Sequence, residues 1–244
     1  MRRTNTTDVA NTSTMSFRFK QFFIEDSKCA MKVGTDGVLL GAWAPIHLRL
    51  DDLRFTILDV GTGSGLIARM LMQRCPEAIV DAIDIDPEAT EQAKENGVRA
   101  YCAKVQDWQG SYDLIVSNPP YFQNSLKNPD ERRKTARHTD TLSYEDLIRH
   151  SARLLKVGGQ LAVILPAEEE EEVRSLAARY SLYCTRITRV YSKASKPARR
   201  VLLCFAKLKI EDLRFKIEED PLILEDEKGG RSLPYQELCR EFYL

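Results

Sequence analysis

A run of five residues, Ser117-Asn118-Pro119-Pro120-Tyr121, has the composition needed to hold a flat amino group. Neither proline has an amide hydrogen and both have a fixed φ, so the turn is stiff and presents acceptors rather than donors. The side-chain oxygen of Asn118 and the carbonyl oxygen of Pro119 can each accept a hydrogen bond from the same NH₂. Tyr121 can stack on a ring that carries this amine, a contact worth about 1–3 kcal/mol for a base on an aromatic side chain.

Such a pair of acceptors can make a weakly nucleophilic amine more reactive. The lone pair of an exocyclic or amide nitrogen is delocalised into the adjacent π system, so that nitrogen is a weak nucleophile. Acceptors on its two hydrogens help to localise the lone pair while an electrophile approaches in line, and no general base with a shifted pKa is needed before attack. We therefore assign Asn118, Pro119 and Tyr121 to catalysis.

A second candidate site lies upstream, where Asp59 precedes the glycine-rich run 61–65. Glycines at a strand-to-helix turn let the backbone approach a ligand and adopt positive φ, which suits a nucleoside cofactor. A nicotinamide fingerprint would need a glycine at position 66, where this chain has Leu66. About 20 residues after the turn a strand pattern ends at Asp84, where an acid can accept both ribose hydroxyl hydrogens. The predicted cofactor ligands are Asp59, Gly61, Gly63 and Asp84.

The elements that must position these residues follow from the apolar pattern. Short β-rich runs alternate with helical patterns, which implies right-handed crossovers and a mostly parallel sheet covered on both faces. Ligands of such a sheet bind beyond the carboxyl ends of its strands. The predicted strands are 55–60, 79–84, 98–102, 112–117, 160–165, 182–191 and 200–209. The predicted helices are 65–74, 87–96, 142–155 and 167–180.

Polar residues and glycines predict where these helices begin and end. Asp86 precedes Pro87, and Ser143 stands at the start of the third helix, so both are predicted N-caps. Gly158-Gly159 is predicted to stop that third helix. The five glutamates Glu168–Glu172 are interpreted as a solvated helix start, where negative charge meets the positive end of the helix dipole, rather than as an ion site.

Composition excludes several classes of protein. The 244 residues are 43% hydrophobic, with 36 basic and 36 acidic side chains, which is too apolar and too balanced for a disordered chain. The longest apolar run, 37–46, is half of the roughly 20 residues that cross a bilayer, and no secretory signal opens the chain. We therefore expect a cytoplasmic protein. The cysteines and histidines are dispersed, so we expect reduced, buried thiols and no metal site.

The motifs resemble those of known enzymes. Asp59-x-Gly61-x-Gly63-x-Gly65 resembles motif I of the class I S-adenosylmethionine-dependent methyltransferases. Asn-Pro-Pro-Tyr resembles the amino-methyltransferases that modify adenine N6, guanine N2 or a glutamine amide. The block 26–44, preceded by Phe19-x-x-Phe22, looks very like the N-terminal signature of the bacterial tRNA1(Val) (adenine(37)-N6)-methyltransferase family. The similarity continues through 136–138, 142–155 and 196–203 to Tyr235 and 241–244, and so covers nearly everything from Phe17 onward.

The resemblance implies a Rossmann-like α/β fold with a seven-stranded, mostly parallel sheet, and transfer of methyl from S-adenosylmethionine to adenine N6 in tRNA. Residues 15–244 would form a single methyltransferase domain, in which residues 15–50 close over the cofactor and residues 51–244 form the core. Thr35 and Asp36 would lie near the methionine end of the cofactor, which Asp59 would help to position. Residues 1–14, which are poor in apolar side chains, are predicted to be a flexible tail. A monomer is expected.

One stretch departs from the family pattern. The family commonly has an acid after the third strand, close to the cofactor adenine, whereas residues 103–108 read Ala-Lys-Val-Gln-Asp-Trp. The chain is also several residues shorter than expected between Asn96 and Ala103. Either Asp107 takes over this contact through a shifted register, or the adenine is held mainly by apolar contacts and a backbone amide.

Local charge predicts where tRNA could be held, although the net charge is zero. Residues 186–200 carry six basic side chains and no acid, and residues 127–138 carry five basic side chains against two acids. Acids concentrate instead in 168–172 and 211–227, so one interpretation is a one-sided basic surface, with phosphate binding that weakens steeply with salt. The other interpretation, which applies more to 186–200 than to 127–138, is ordinary solvated lysines and arginines. The alternatives are methylation of guanine N2 in ribosomal RNA or of a glutamine in a release factor, and an RNA-binding module that kept the fold.

Overall fold

The computed structural model of the protein describes residues 16–46, 55–120, 142–208 and 215–243. The strands are β1 (Ser16–Arg18), β2 (Phe23–Glu25), β3 (Thr56–Val60), β4 (Ile79–Asp84), β5 (Ala100–Cys102), β6 (Tyr112–Ser117), β7 (Leu155–Pro166), β8 (Leu182–Tyr191), β9 (Ala198–Lys207) and β10 (Glu218–Ile223). The α-helices are α1 (Thr35–Trp43), α2 (Leu66–Arg74), α3 (Pro87–Glu95), α4 (Tyr144–Leu154), α5 (Glu170–Arg179) and α6 (Leu233–Cys239), and a 3₁₀ turn covers Ala167–Glu169.

The central sheet contains eight of these strands, in the order β10-β8-β9-β7-β6-β3-β4-β5. Strand β9 is antiparallel to both of its neighbours, and the other neighbouring pairs are parallel. The predicted fold class is therefore confirmed, but the predicted number of seven strands is wrong. The additional strand is β10, where Glu218, Glu219 and Pro221 hide the strand pattern and only Leu222 is buried. Acids and proline are tolerated there because β10 is an edge strand.

Both faces of the sheet are buried, because side chains alternate along each strand. Ile57 and Leu114 point to one face, where α1, α2 and α6 pack against them in one apolar cluster. Leu58 and Ile115, the next residue in each strand, point to the other face, in a cluster with α4 and α5. Strands that are buried on both sides explain why the sequence shows nearly continuous apolar runs.

The helix starts predicted from caps agree with the structure. The Asp86 carboxylate accepts from the Glu88 amide at the start of α3, and the Ser143 hydroxyl accepts from the Asp146 amide at the start of α4. The glutamates at 168–172 lie in the 3₁₀ turn and the first turn of α5, so the predicted helix start is confirmed. The prediction that all five are solvated is wrong, because Glu169 is buried and Glu170 is partly buried. Within the described ranges, no helix combines the length and the apolar character of a membrane span.

The predicted stop at Gly158-Gly159 is wrong, because α4 ends at Leu154 and both glycines lie inside β7. Gly158 has a φ of +80°, and the pairing of β6 with β7 shifts register between Tyr112 and Leu114. A Cβ on Gly159 would lie 2.9 Å from the Tyr112 carbonyl oxygen. These glycines therefore form an irregularity that brings β7 close to β6, rather than a helix end.

Candidate active site

A cavity of about 610 Å³ lies at the carboxyl ends of β3, β4 and β6. This volume is in the range of sites that bind small molecules and cofactors. Its walls come from segments far apart in the sequence: residues 29–37, 60–64, 83–86 and 103–106, together with Leu66, Ile67, Ala89, Asn118, Pro120 and Leu142. The position agrees with the prediction that ligands bind beyond the strand ends.

The glycine turn after β3 forms one wall. The amides of Gly61 and Thr62 both donate to the Ile83 carbonyl oxygen, at 2.9 and 3.1 Å, which holds the turn against the end of β4. Gly61 and Gly63 have φ of +72° and +55°, and a Cβ on either would meet nothing within 4 Å. Both residues line the cavity. A ligand can therefore approach this backbone closely, as the sequence predicts.

Asp84, the predicted ribose ligand, also lines the cavity. Its Oδ2 accepts from the Gly63 amide at 2.9 Å and its Oδ1 accepts from the Asp86 amide at 3.0 Å. These bonds fix the carboxylate between the glycine turn and the start of α3. Each oxygen of a carboxylate has a second lone pair, so the carboxylate retains acceptor capacity for hydroxyl donors.

The motif suggests that Asp59 lies beside the cofactor, but the structure places its side chain elsewhere. Its side chain is fully buried behind the glycine turn and is not part of the cavity wall. Oδ2 accepts from the Thr62 hydroxyl at 2.7 Å and from the Ala68 amide at 3.2 Å, and Oδ1 has no hydrogen-bond partner among the described residues. Loss of solvation raises the pKa of this carboxyl to about 7. In the structure Asp59 supports the turn and the first turn of α2.

The end of β6 brings Asn118 to the cavity. The Ser117 hydroxyl donates to the Val60 carbonyl oxygen at 2.8 Å, which ties the last residue of β6 to the last residue of β3. Asn118 then lines the cavity, with its Nδ2 3.8 Å from the Met31 sulfur. Pro119 is buried and outside the cavity wall, whereas Pro120 is exposed and lines it. Tyr121 lies outside the described residues, as does the basic segment 127–138.

The N-terminal segment forms another wall, and Thr35 and Asp36 lie in it. Asp26 closes the loop that leads to them, because its Oδ2 accepts from the Val33 amide at 2.8 Å. Asp36 is the second residue of α1, and its Oδ2 accepts from Nε of Arg200 at 2.8 Å. The structure therefore joins the predicted closing segment to β9 by an ion pair.

Two buried amide side chains attach this segment to the core. Asn96 donates through Nδ2 to the carbonyl oxygens of Glu25 and Ser64, at 2.7 and 2.8 Å, and accepts from the Glu25 amide at 3.1 Å. Gln92 accepts from the Ser27 hydroxyl at 3.2 Å. Asn96 thus bridges the N-terminal segment and the glycine turn, so one side chain fixes two walls of the cavity relative to each other.

The structure does not bring Asp107 to the cavity. Its side chain is exposed, and the residues of this loop that line the cavity are Ala103, Lys104, Val105 and Gln106. The neighbouring wall includes Ile85, an apolar side chain that is 44% exposed. This arrangement favours the second option from the sequence, in which apolar contacts and a backbone amide hold the adenine.

Cys29, Met31, Ile85 and Leu142 are among the side chains of the wall that sequence reasoning missed. Of these four residues, only Ile85 has a local sequence signal for the wall, since it is an apolar residue between two acids.

Burial, with the charge of Asp26 nearby, raises the pKa of the Cys29 thiol to about 11, so Cys29 is not a thiolate nucleophile at neutral pH. Cys102 is exposed, contrary to the expectation of buried thiols, whereas the other five cysteines are buried. No group of residues that could hold a metal occurs in the described ranges.

Known proteins with similar sequences are methyltransferases. The family model named Methyltransferase small domain matches residues 46–179. A tRNA1(Val) (adenine(37)-N6)-methyltransferase of Parabacteroides distasonis is 45% identical over 240 residues, which cover 93% of this chain and 97% of that protein. The protein of the same name from Aeromonas salmonicida is 42% identical over 238 residues, with the same coverage.

Solved structures show the same fold at low sequence identity. A predicted O-methyltransferase from Agrobacterium tumefaciens has a TM-score of 0.62 and 20% identity, with 84% of this chain and 96% of that chain covered. A 16S rRNA N2 methyltransferase from T. thermophilus, solved in complex with AdoMet and guanosine, has a TM-score of 0.55 and 18% identity. That alignment covers 80% of this chain and 45% of the other.

Proposed function

Because the chain belongs to the tRNA1(Val) (adenine(37)-N6)-methyltransferase family, we propose that it transfers a methyl group from S-adenosylmethionine to N6 of an adenine in tRNA. Adenine 37 of tRNA1(Val), the position in the name of its relatives, is the proposed target. The observation that carries the proposal is the meeting of Asn118 and the glycine turn in one cavity.

The residues of the cavity fit S-adenosylmethionine. Gly61 and Gly63 leave open space over their backbone, and Asp84 presents a fixed carboxylate for the ribose hydroxyls. Ile85 and Val105 offer an apolar wall for the adenine, and Thr35 and Asp36 face the same cavity from α1 for the methionine end. When bound, the cofactor supplies an electrophilic methyl group.

Asn118 and Pro119 would orient and activate the target amine. The Oδ1 atom of Asn118 and the carbonyl oxygen of Pro119 accept the two hydrogens of the adenine N6 amine, which turns its lone pair toward the cofactor side of the cavity. Positive charge develops on this nitrogen in the transition state, and the Asn118 oxygen together with the Pro119 carbonyl oxygen would stabilise it. The nitrogen then releases one of its two protons, which leaves a neutral methylamino group. The bond from Ser117 to Val60 keeps these acceptors at a constant distance from the glycine turn.

Tyr121 would stack on the adenine ring once the base is extruded. An adenine in an anticodon loop is single-stranded or readily splayed, so its extrusion costs only a few kcal/mol.

The test is the variant Asn118→Ala. Removal of one preorganised hydrogen-bonding group from an active site typically costs 10²–10³ in rate, so we expect methyl transfer to tRNA to fall by about that factor or more. Cofactor affinity, measured by calorimetry, should stay close to that of the wild type. Gln109→Ala shortens an exposed amide side chain outside the cavity and should retain full activity.

Loss of cofactor binding together with activity in Asn118→Ala would show that Asn118 has a different role. The substrate is tested separately, by mass spectrometry of tRNA nucleosides from a deletion strain. Unchanged N6-methyladenosine would contradict the proposed substrate, and labelled transfer to ribosomal RNA or to a release factor would identify an alternative one. A wild-type protein that binds RNA but transfers no label to any of these would be a binding module.

A further inference from the structure

The β8–β9 hairpin ends beside the cavity. Strand β8 is antiparallel to β9, which is antiparallel to β7, so β8 ends at the same edge of the sheet as β6 and β3. Arg200, near the start of β9, pairs in register with Pro166 at the end of β7. The side chain of Arg200 reaches Asp36 in the cavity wall. We call residues 192–199 the hairpin tip.

The basic residues of this hairpin divide into two groups. Arg186 lies over the Trp43 ring, 4.7 Å from its centroid, and its Nε is 3.8 Å from Asp220. Arg189 is bonded to Glu170 at 2.6 Å and to Glu219 at 3.0 Å. These two arginines therefore attach β8 to α1, α5 and β10, although the sequence pattern groups them with an RNA surface.

The hairpin tip retains positive charge. Among the described residues, Lys193 has one ion-pair partner, Glu225, at 3.5 Å. Lys196 and Arg199 are exposed, and neither side chain has a hydrogen bond or an ion pair with any residue that the structure describes. A Lys and an Arg three residues apart at the end of a hairpin are suited to phosphate groups, since each can donate several charge-assisted hydrogen bonds.

Acids border the hairpin tip and limit its extent. The 3₁₀ turn Ala167–Glu169 follows β7, so the glutamates at 168–172 begin at the same edge of the sheet as the cavity. The expectation of a one-sided basic surface is therefore wrong for the described residues. Glu170 is neutralised by Arg189 and Arg174, but Glu168, Glu171 and Glu172 are exposed. These exposed acids repel phosphates, so at this edge of the sheet only the hairpin tip can contact the RNA backbone.

We propose that the hairpin tip binds phosphates of the tRNA backbone through Lys196 and Arg199. This inference rests on the proposed function, since it assigns the surface that holds the tRNA while its adenine enters the cavity. Phosphate contacts fix the register of a nucleic acid without reading its bases. The ion pair between Arg200 and Asp36 fixes the tip relative to the cavity.

The experiment measures tRNA affinity of the full-length double variant Lys196→Gln/Arg199→Gln at several salt concentrations. Each phosphate contact contributes about 0.7–0.9 to the slope of log affinity against log salt, so the slope should become shallower by about 1.4–1.8. KM for tRNA should rise while kcat at saturating tRNA and cofactor affinity stay unchanged. The unchanged cofactor affinity also verifies that the variant is folded.

A matched control removes one Arg and one Lys elsewhere, in the variant Arg179→Gln/Lys216→Gln. Both side chains are exposed and lie toward the other edge of the sheet, at the end of α5 and just before β10. Their loss should leave the slope at the wild-type value. A hairpin variant with the wild-type slope, or a control that changes the slope as much, would overturn the assignment of the surface.

The failure of this inference is separable from that of the proposed function. A wild-type protein that methylates tRNA, combined with a hairpin variant of unchanged slope, refutes the surface alone. A wild-type protein that transfers no methyl group to tRNA refutes the proposed function, and the slope of the hairpin variant then still decides whether the tip binds RNA phosphates.

Discussion

Asp59 and Asp84, at the ends of neighbouring strands, differ in environment although both were predicted to bind the cofactor. Asp84 lines the cavity and accepts from two backbone amides. Asp59 is fully buried, and its bonds from Thr62 and Ala68 do not offset the loss of solvation, so its pKa rises to about 7. Asp59 therefore exchanges its proton near neutral pH, where an ordinary carboxyl is ionised.

This raised pKa makes the stability of the fold depend on pH. Between the ordinary value of 3.8 and about 7, the folded state holds a proton that the unfolded state has released. The stabilisation is therefore fully present below the unfolded pKa and is lost as pH rises toward 7, at no more than about 1.4 kcal/mol per pH unit. The variant Asp59→Asn retains an accepting oxygen and lacks this titration.

We therefore expect the stability of Asp59→Asn, measured as the free energy of unfolding, to increase relative to that of the wild type as pH rises from 5 through 7. The difference should level off near pH 8, because a carboxyl with a pKa of about 7 is only half ionised at pH 7. Urea denaturation at each pH measures this difference. Parallel pH profiles for the two proteins would show that Asp59 is already ionised at pH 5 in the folded state.

At the scale of elements, the glycine turn performs two separate tasks. Gly63 leaves open space on the cavity side, and Gly65 lets α2 pack closely against the segment after α3. A Cβ on Gly65 would lie 2.8 Å from Cγ2 of Val98 and 3.2 Å from Cβ of Ala93. One motif thus contains a glycine required for the ligand and a glycine required for packing.

Alanine at these two positions should separate the tasks. Both glycines have positive φ, at +55° and +81°, so each substitution costs about 1–2 kcal/mol of backbone strain. Gly65→Ala adds a steric clash and should destabilise the protein more, as measured by urea denaturation. Gly63→Ala should reduce cofactor affinity more strongly relative to its effect on stability, as measured by calorimetry. Equal losses of stability in the two variants would contradict this division.

At the scale of the whole molecule, the two ends of the described chain pack together. Phe19 and Phe242 are buried in the same cluster as α1 and α2, and the Lys20 amide donates to the Phe242 carbonyl oxygen at 2.9 Å. The C-terminal segment therefore supports the N-terminal segment that lines the cavity. The single domain at residues 15–244 remains a prediction, which a single cooperative unfolding transition would confirm.

The variant Phe242→Ala tests this support. Truncation of a buried aromatic side chain to alanine costs about 3–5 kcal/mol, and we expect urea denaturation to show a loss of that size in one transition. Leu233→Ala is the control, because Leu233 is 79% exposed and its truncation should change stability by no more than about 0.5 kcal/mol. Two transitions, or a loss near that of the control, would show that the C-terminal segment is not part of the core.

Residue types and their spacing were enough to predict the fold class, the glycine turn, Asp84 at the end of β4 and Asn118 at the end of β6. These predictions succeed because strand periodicity and glycine conformation are local properties, and because parallel strands bring their carboxyl ends to one edge. The N-caps Asp86 and Ser143 succeed for the same reason, since a cap bonds to an amide within three residues.

The residues that share the cavity and the charges that are already paired could be identified only in the folded chain. Met31, Ile85 and Leu142 meet Asn118 there from separate segments, whereas Asp59 is enclosed behind the turn and Asp107 faces solvent. The same holds for the basic hairpin, where acids distant in sequence neutralise Arg186 and Arg189. Burial and ion pairing depend on neighbours that the chain brings together only on folding, and no local pattern of residue types encodes them.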